Sequence, residues 1–206
     1  MHPIRFKPFI GKNYHSQDFK ILVLGESHYL NTNQINDYQA NKEYISNITN
    51  QVVTGFFKYK NRSAKYERWM NTFTKFGNVI HGNRLNPSQT LAFWDSCAFY
   101  NYVQVPTAGP RIYPTKEDFQ NSISALKQVI KETNPDIVMV WGYRLWHNLP
   151  VKNTEKIFRT SKIHFTNIDP QLPFKRMPHP SSSAFNYKMS PSFKSYIKNV
   201  KILRSQ

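Results

Sequence analysis

Two short segments concentrate side chains able to do chemistry. The first, Gly25-Glu26-Ser27-His28-Tyr29, sets a carboxylate, a hydroxyl and an imidazole in consecutive positions, and the second, His179-Pro180-Ser181-Ser182-Ser183, sets an imidazole before a run of hydroxyls. Ser27 with His28 and His179 as possible bases is raw material for nucleophilic catalysis. A nucleophile elbow needs Gly two residues after the Ser, and Tyr29 stands there, which argues against a serine hydrolase. The 12 acids are spread along the chain and form no carboxylate cluster for a metal nuclease, and there is no G-x-x-x-x-G-K-S/T loop for nucleotide hydrolysis. A further stretch, Phe56 to Trp69, interleaves five Lys or Arg with five aromatics. That composition suits phosphate contacts with base stacking, and equally a solvated helix face whose aromatics pack inward.

The whole chain is basic. Twenty-eight Lys and Arg against 12 Asp and Glu give a formal charge of +16 over 206 residues, while 39% of residues are hydrophobic and 15 are Phe. Such a chain can build a core, so it is not a disordered basic tail, and its excess charge points to a polyanion, most simply nucleic acid. The single cysteine, Cys97, excludes an intramolecular disulfide and any site built on paired cysteines, and is expected to be a small buried hydrophobe. The N-terminal stretch has no long apolar core and no segment approaches a membrane span, so a soluble cytoplasmic protein without membrane contact is expected. The length fits one domain over residues 1–206.

The elements that must position the two segments follow from hydrophobic patterning. Four apolar runs read as buried strands: Ile21 to Leu24, Ala98 to Val103, Ile137 to Trp141 and Ile163 to Ile168. Thr115 to Asp118 reads as a helix cap, followed by Phe119, Ile123, Leu126 and Ile130 on one helical face and stopped by Asn134-Pro135. Ser190 to Arg204 places Phe193, Tyr196, Ile197 and Val200 on one face and Lys194, Lys198 and Lys201 on another, a covering helix with a basic outer side. Two or three helices are expected between about Ile35 and Ile80, and Trp141 and Trp146 are expected to be packing residues. The pattern predicts an α/β fold, a three-layer α/β/α domain with a mainly parallel four-stranded central sheet. In such sheets ligands sit beyond the carboxyl ends of the strands, where the two segments and Asn101 fall.

This order of segments resembles the uracil-DNA glycosylase superfamily, over roughly Lys20 to Leu203. Gly25 to Tyr29 fall on that family's first motif, His179-Pro180-Ser181 match its second, Val140-Trp141-Gly142 resemble its central strand, and Asn101 stands where branches carry a base-reading Asn. The resemblance implies a DNA repair enzyme, a metal-independent hydrolase needing no cofactor, that flips a damaged, uracil-type base from DNA and breaks its glycosidic bond. It implies Glu26, Ser27 and His179 as catalytic residues and Gly25, His28, Tyr29 and Asn101 as base-binding residues. By that analogy Asn101 pairs with a pyrimidine edge, His179 donates to the departing base, and Tyr29 closes the pocket against a 5-methyl group. Ser27 stands where the best-known branch has an Asp, leaving Glu26 or water held by Ser27 to supply that function, and His28 replaces a Pro. Ser181, Ser182 and Ser183 would hold DNA phosphates, and Phe185 would serve as the apolar wedge in the base stack. The alternative is a protein of the same fold that binds nucleic acid or a nucleotide without cleaving it. No obligate protein partner is implied.

Overall fold

The computed structural model describes residues 4–30, 36, 45–109, 112–150 and 154–206. The part of the expected helical region at positions 35 and 37–44 lies outside them. Seven strands form one sheet: β1 (Phe9–Ile10), β2 (Ile21–Gly25), β3 (Cys97–Asn101), β4 (Ile137–Trp141), β5 (Thr154–Phe158), β6 (Ser161–Phe165) and β7 (Phe174–Met177), in the order β1-β3-β2-β4-β7-β6-β5. The expectation of four strands is corrected accordingly. Neighbours β3, β2, β4 and β7 are mutually parallel, whereas β1 and the β5–β6 hairpin add to the two sides antiparallel.

Two of the four expected strands, β2 and β4, are continuous apolar runs buried on both faces, and β3 is similarly enclosed. The fourth expected run is instead part of the antiparallel hairpin, as β6. The strand that precedes His179 is β7, whose sequence Phe-Lys-Arg-Met carries two cations and no apolar run.

Alternation along the strands divides the core in two. Val23, Phe99, Met139 and Trp141 point to one face, where they meet α1 (Ile48–Lys60), α2 (Met70–His81), α3 (Pro87–Asp95) and α7 (Ser190–Arg204). Leu22, Leu24, Tyr100, Val138 and Val140 point to the other, under α4 (Lys116–Asn121), α5 (Ile123–Thr133) and α6 (Tyr143–Asn148). Helices therefore cover both faces. The first face is rich in aromatics, with Phe73, Phe76, Trp94 and Phe99 each in ring contact with Trp141. Cys97, Trp141 and Trp146 are buried as expected.

Local chemistry sets the helix ends. Thr115 and Asp118 form a reciprocal capping box at α4, and Asn134, in the left-handed region at φ 43°, ends α5. The expected single helix is two, broken at Ser122. The covering helix runs over Ser190–Arg204 with Phe193, Tyr196 and Val200 buried. Among the described residues no helix is long and apolar enough to cross a membrane.

Candidate functional site

Because β3, β2, β4 and β7 are parallel, the segments following them emerge at one edge of the sheet. The connection after β2 leads to helices on one face, and that after β4 leads to α6 on the other. The gap between these neighbours is a topological switch point, where open α/β sheets form their ligand crevices. Glu26 follows β2, and Arg144 follows β4.

The two meet across this gap. Arg144 donates from Nε to both carboxylate oxygens of Glu26, at 2.8 and 2.9 Å, and from its terminal nitrogen to Oε2. Such a forked pair is geometrically specific, and hydrogen bonding to Glu26 raises the Arg144 pKa. The guanidinium also lies 3.9 Å from the centre of the Tyr113 ring. Tyr29 and Tyr113 are 49% and 60% exposed, so aromatic faces flank the ion pair. Burial first, then the Glu26 charge, raises the Tyr29 pKa. Gly142 makes this entry into α6 possible, at a φ of 92° that suits glycine.

The backbone after β2 is pinned rather than free. Tyr102 and Val103 N–H donate to Gly25 and Glu26 carbonyls at 2.9 and 2.8 Å, and Thr107 N–H donates to the His28 carbonyl at 2.9 Å. Gly25 is required by close approach, since a Cβ there would come within 2.2 Å of Asn101 Oδ1.

His28 and Asn101 turn inward, at 4% and 7% exposure. The Asn101 amide nitrogen lies 3.2 Å from His28 Nδ1 and 3.1 Å from Nε2, and His28 Nε2 also lies 2.9 Å from Thr49 Oγ1. In a neutral imidazole the ring nitrogen without the proton accepts from the Asn101 amide, and Nε2 shares a hydrogen bond with the Thr49 hydroxyl as donor or acceptor according to the tautomer. Desolvation lowers the His28 pKa to about 3. The two expected base-binding residues therefore form a buried, hydrogen-bonded pair behind the Gly25–Tyr29 segment. Ser27 Oγ is buried and has no hydrogen-bond partner, so neither His28 nor His179 activates it as a nucleophile.

His28 makes stability depend on pH. A neutral imidazole in the fold, with a pKa far below its ordinary 6.5, means that only the unfolded chain gains a proton between about 6.5 and 3. Its stabilising contribution is therefore complete above pH 6.5 and is lost as the pH falls through that window. His28→Gln should flatten the decline in denaturation midpoint from pH 7 to pH 4, leaving the part of the slope that belongs to His179 and His164, whose pKa values burial also lowers.

After β7 comes His179, whose Nδ1 accepts from Ser181 N–H at 3.2 Å and lies 2.7 Å from Ser181 Oγ. With Nδ1 an acceptor, Nε2 carries the proton. Crowding by the surrounding protein and then the Arg144 charge hold the pKa down at about 4, although the residue reaches solvent. His179 is thus a neutral donor at neutral pH. Trp141 lies edge-on beneath it, with ring centres 5.9 Å apart. Lys75 donates to the Ser182 carbonyl at 2.7 Å, fixing the serine loop to α2. Ser181 and Ser183 are exposed and Ser182 is partly so.

Phe185 is corrected from DNA wedge to core residue. It is fully buried, stacked with Phe76 at 6.2 Å and packed against Phe193. The basic and aromatic stretch divides in two: Phe56 is buried in the core, whereas residues 61–68 are all exposed, with Tyr59 and Tyr66 in ring contact.

Sequence reasoning missed Arg144, Tyr113 and Thr49. Arg144 lay in the Gly142 to Trp146 segment after β4, and the need of Glu26 for a counter-charge was the signal that could have found it. Among the described residues no three His, Cys, Asp or Glu side chains gather as a metal ion would need. No family model matches this chain, and no curated protein matches it significantly.

Proposed function

We propose that the chain is a DNA glycosylase-like protein that flips a damaged, uracil-type base out of DNA and hydrolyses its glycosidic bond. The observation that carries this reading is the neutral imidazole of His179, presented as a donor beside the Glu26–Arg144 pair that bridges the switch point. The charge of +16 favours approach to a polyanion.

Each group has a task in that reaction. The C1′–N bond breaks with its electron pair passing to the base, and His179 Nε2–H stabilises the charge that develops on the base carbonyl. A carboxylate has about four acceptor sites, so Glu26 paired to Arg144 still has one for a water. The water oxygen bonds to C1′ and its proton leaves through Glu26 to solvent. The oxocarbenium-like sugar needs position and negative charge nearby more than a strong base. Tyr29 and Tyr113 offer stacking faces, and the Ser181–Ser183 loop offers hydroxyls and N–H groups to phosphates.

The Arg144 fork on Glu26 favours a second reading, a non-cleaving binder of nucleic acid or a nucleotide, because it engages both oxygens of the only carboxylate in the segment. One assay separates the two. Intact protein is incubated with labelled oligonucleotides bearing uracil, hypoxanthine, xanthine or a thymine mismatch, in EDTA, and abasic sites are then cut with hot alkali. Cleavage at uracil is the expected result. Salt-sensitive binding without cleavage of any substrate would transfer the conclusion to the binder.

A further inference from the structure

A second constellation lies one strand beyond His179. Strand β7 pairs with β4 along its whole length, but β6 pairs with β7 only at His164↔Phe174. The hairpin therefore splays from the second half of β7, and α7 roofs the opening. The result is a cavity of about 270 Å³, lined by Lys162, Lys175, Arg176, His164, Ser192 and Tyr196 among others, with no carboxylate in its wall.

Lys175 is the cation that this arrangement leaves partly buried, losing hydration with no acid in the lining to pair it, while Arg176 and Lys162 reach solvent at the cavity's edge. Among the described residues neither Lys175 nor Arg176 forms an ion pair; the nearest carboxylate, Glu155, lies 3.7 Å from Lys162 and 3.3 Å from His164 Nδ1. Lys175 is held in place by the ring of Tyr196, whose centre is 4.3 Å from its Nζ. Burial, and then Arg176, depress the Lys175 pKa, the direction expected of a cation that lacks a counter-ion.

We propose that this cavity is a binding site for a phosphate group. Lys175, Arg176 and Lys162 supply the charge, and the Ser192 and Tyr143 hydroxyls supply neutral donors. The volume lies just below the range of drug-sized ligand pockets, which fits a single small anionic group. The source favoured by placement is a backbone phosphodiester rather than a free phosphate ester. Arg176 is three residues before His179, so the two are within about 11 Å along the chain, and Tyr143 at the cavity rim adjoins Arg144. A strand presenting a nucleotide to His179 passes the cavity with a neighbouring phosphate, and this choice of source rests on the nucleic-acid reading above.

The test has two arms on the intact protein. In the first, the His164 ring resonances are followed while inorganic phosphate replaces chloride at constant ionic strength. A saturable shift is expected in the wild type and in Lys198→Gln, which removes a charge from the solvent side of α7, and its loss is expected in Lys175→Gln and Arg176→Gln. Should Lys175→Gln not fold, Lys162→Gln, whose side chain is 69% exposed, takes its place. Absence of a saturable wild-type shift overturns the site, whatever DNA does. In the second arm, DNA affinity is measured against salt. A log–log slope shallower by about one in Arg176→Gln than in Lys198→Gln assigns the site to the DNA backbone. Equal slopes alongside a phosphate shift assign it to a free phosphate ester. Absence of any DNA binding refutes the nucleic-acid reading while the first arm still decides the site.

Discussion

His179→Ala should slow uracil release by about 10²- to 10³-fold, the usual loss when one donor to a developing oxyanion is removed. The fall should appear in kcat with little change in DNA affinity, because the donor matters most once the base carries charge. Single-turnover release from a uracil oligonucleotide measures the first, and fluorescence anisotropy the second. The pH profile of the wild type carries the same argument. Burial and Arg144 keep the imidazole pKa at about 4, so the rate should show no inflection near 6.5. It should decline only toward pH 4, where protonating Nδ1 destroys its bond from Ser181 N–H. An inflection at 6.5, or full activity in His179→Ala, would remove His179 from the chemistry.

Phe185→Ala should destabilise the fold by about 3 to 5 kcal/mol, as deletion of a fully buried Phe does. The ring fills the space between Phe76 on α2 and Phe193 on α7, within the aromatic cluster of that face. Denaturant unfolding measures the loss. At a temperature where the variant remains folded, its DNA affinity should match the wild type. A stability near wild type combined with a large loss of DNA binding would instead restore the wedge role.

The contrast between Phe185 and Tyr29 shows where sequence reading succeeds and where it fails. Both are aromatics close to a polar motif. In sequence, Phe185 stands just after the serine run and reads as a surface wedge, yet the chain turns at Ser182 and Phe185 folds back under the loop, where Phe185 N–H donates to the Ser182 carbonyl at 3.3 Å. Tyr29, with the same kind of neighbours, projects outward. Which way Phe185 points depends on Phe76 of α2, more than a hundred residues earlier in the chain, as well as on nearby Phe193, and local composition holds no trace of the first.

Several elements were legible because their signals are local. The apolar runs of β2 and β4, the Thr115–Asp118 cap, the Asn134 stop and the amphipathic Ser190–Arg204 helix each follow from a few adjacent residues. Strand β7 was not legible. Its Lys175 and Arg176 interrupt the apolar pattern, and it is a strand because β4 offers it an edge and the Phe174 and Met177 side chains find core on either face. The seven-strand extent of the sheet was hidden for the same reason.

The amino-acid sequence by itself determined the α/β class, the covering helices and the placing of Glu26 just beyond a strand end, because periodicity and capping act within one or two turns of chain. Tertiary structure alone decided that Arg144 grips Glu26, that the Asn101 amide nitrogen meets the His28 ring, and that Lys175 and Arg176 share a cavity with Lys162. Those pairings join residues 118, 73 and 13 or 14 positions apart. Their distances are fixed by strand order and by the direction in which each connection leaves the sheet, quantities that emerge only when the whole core closes.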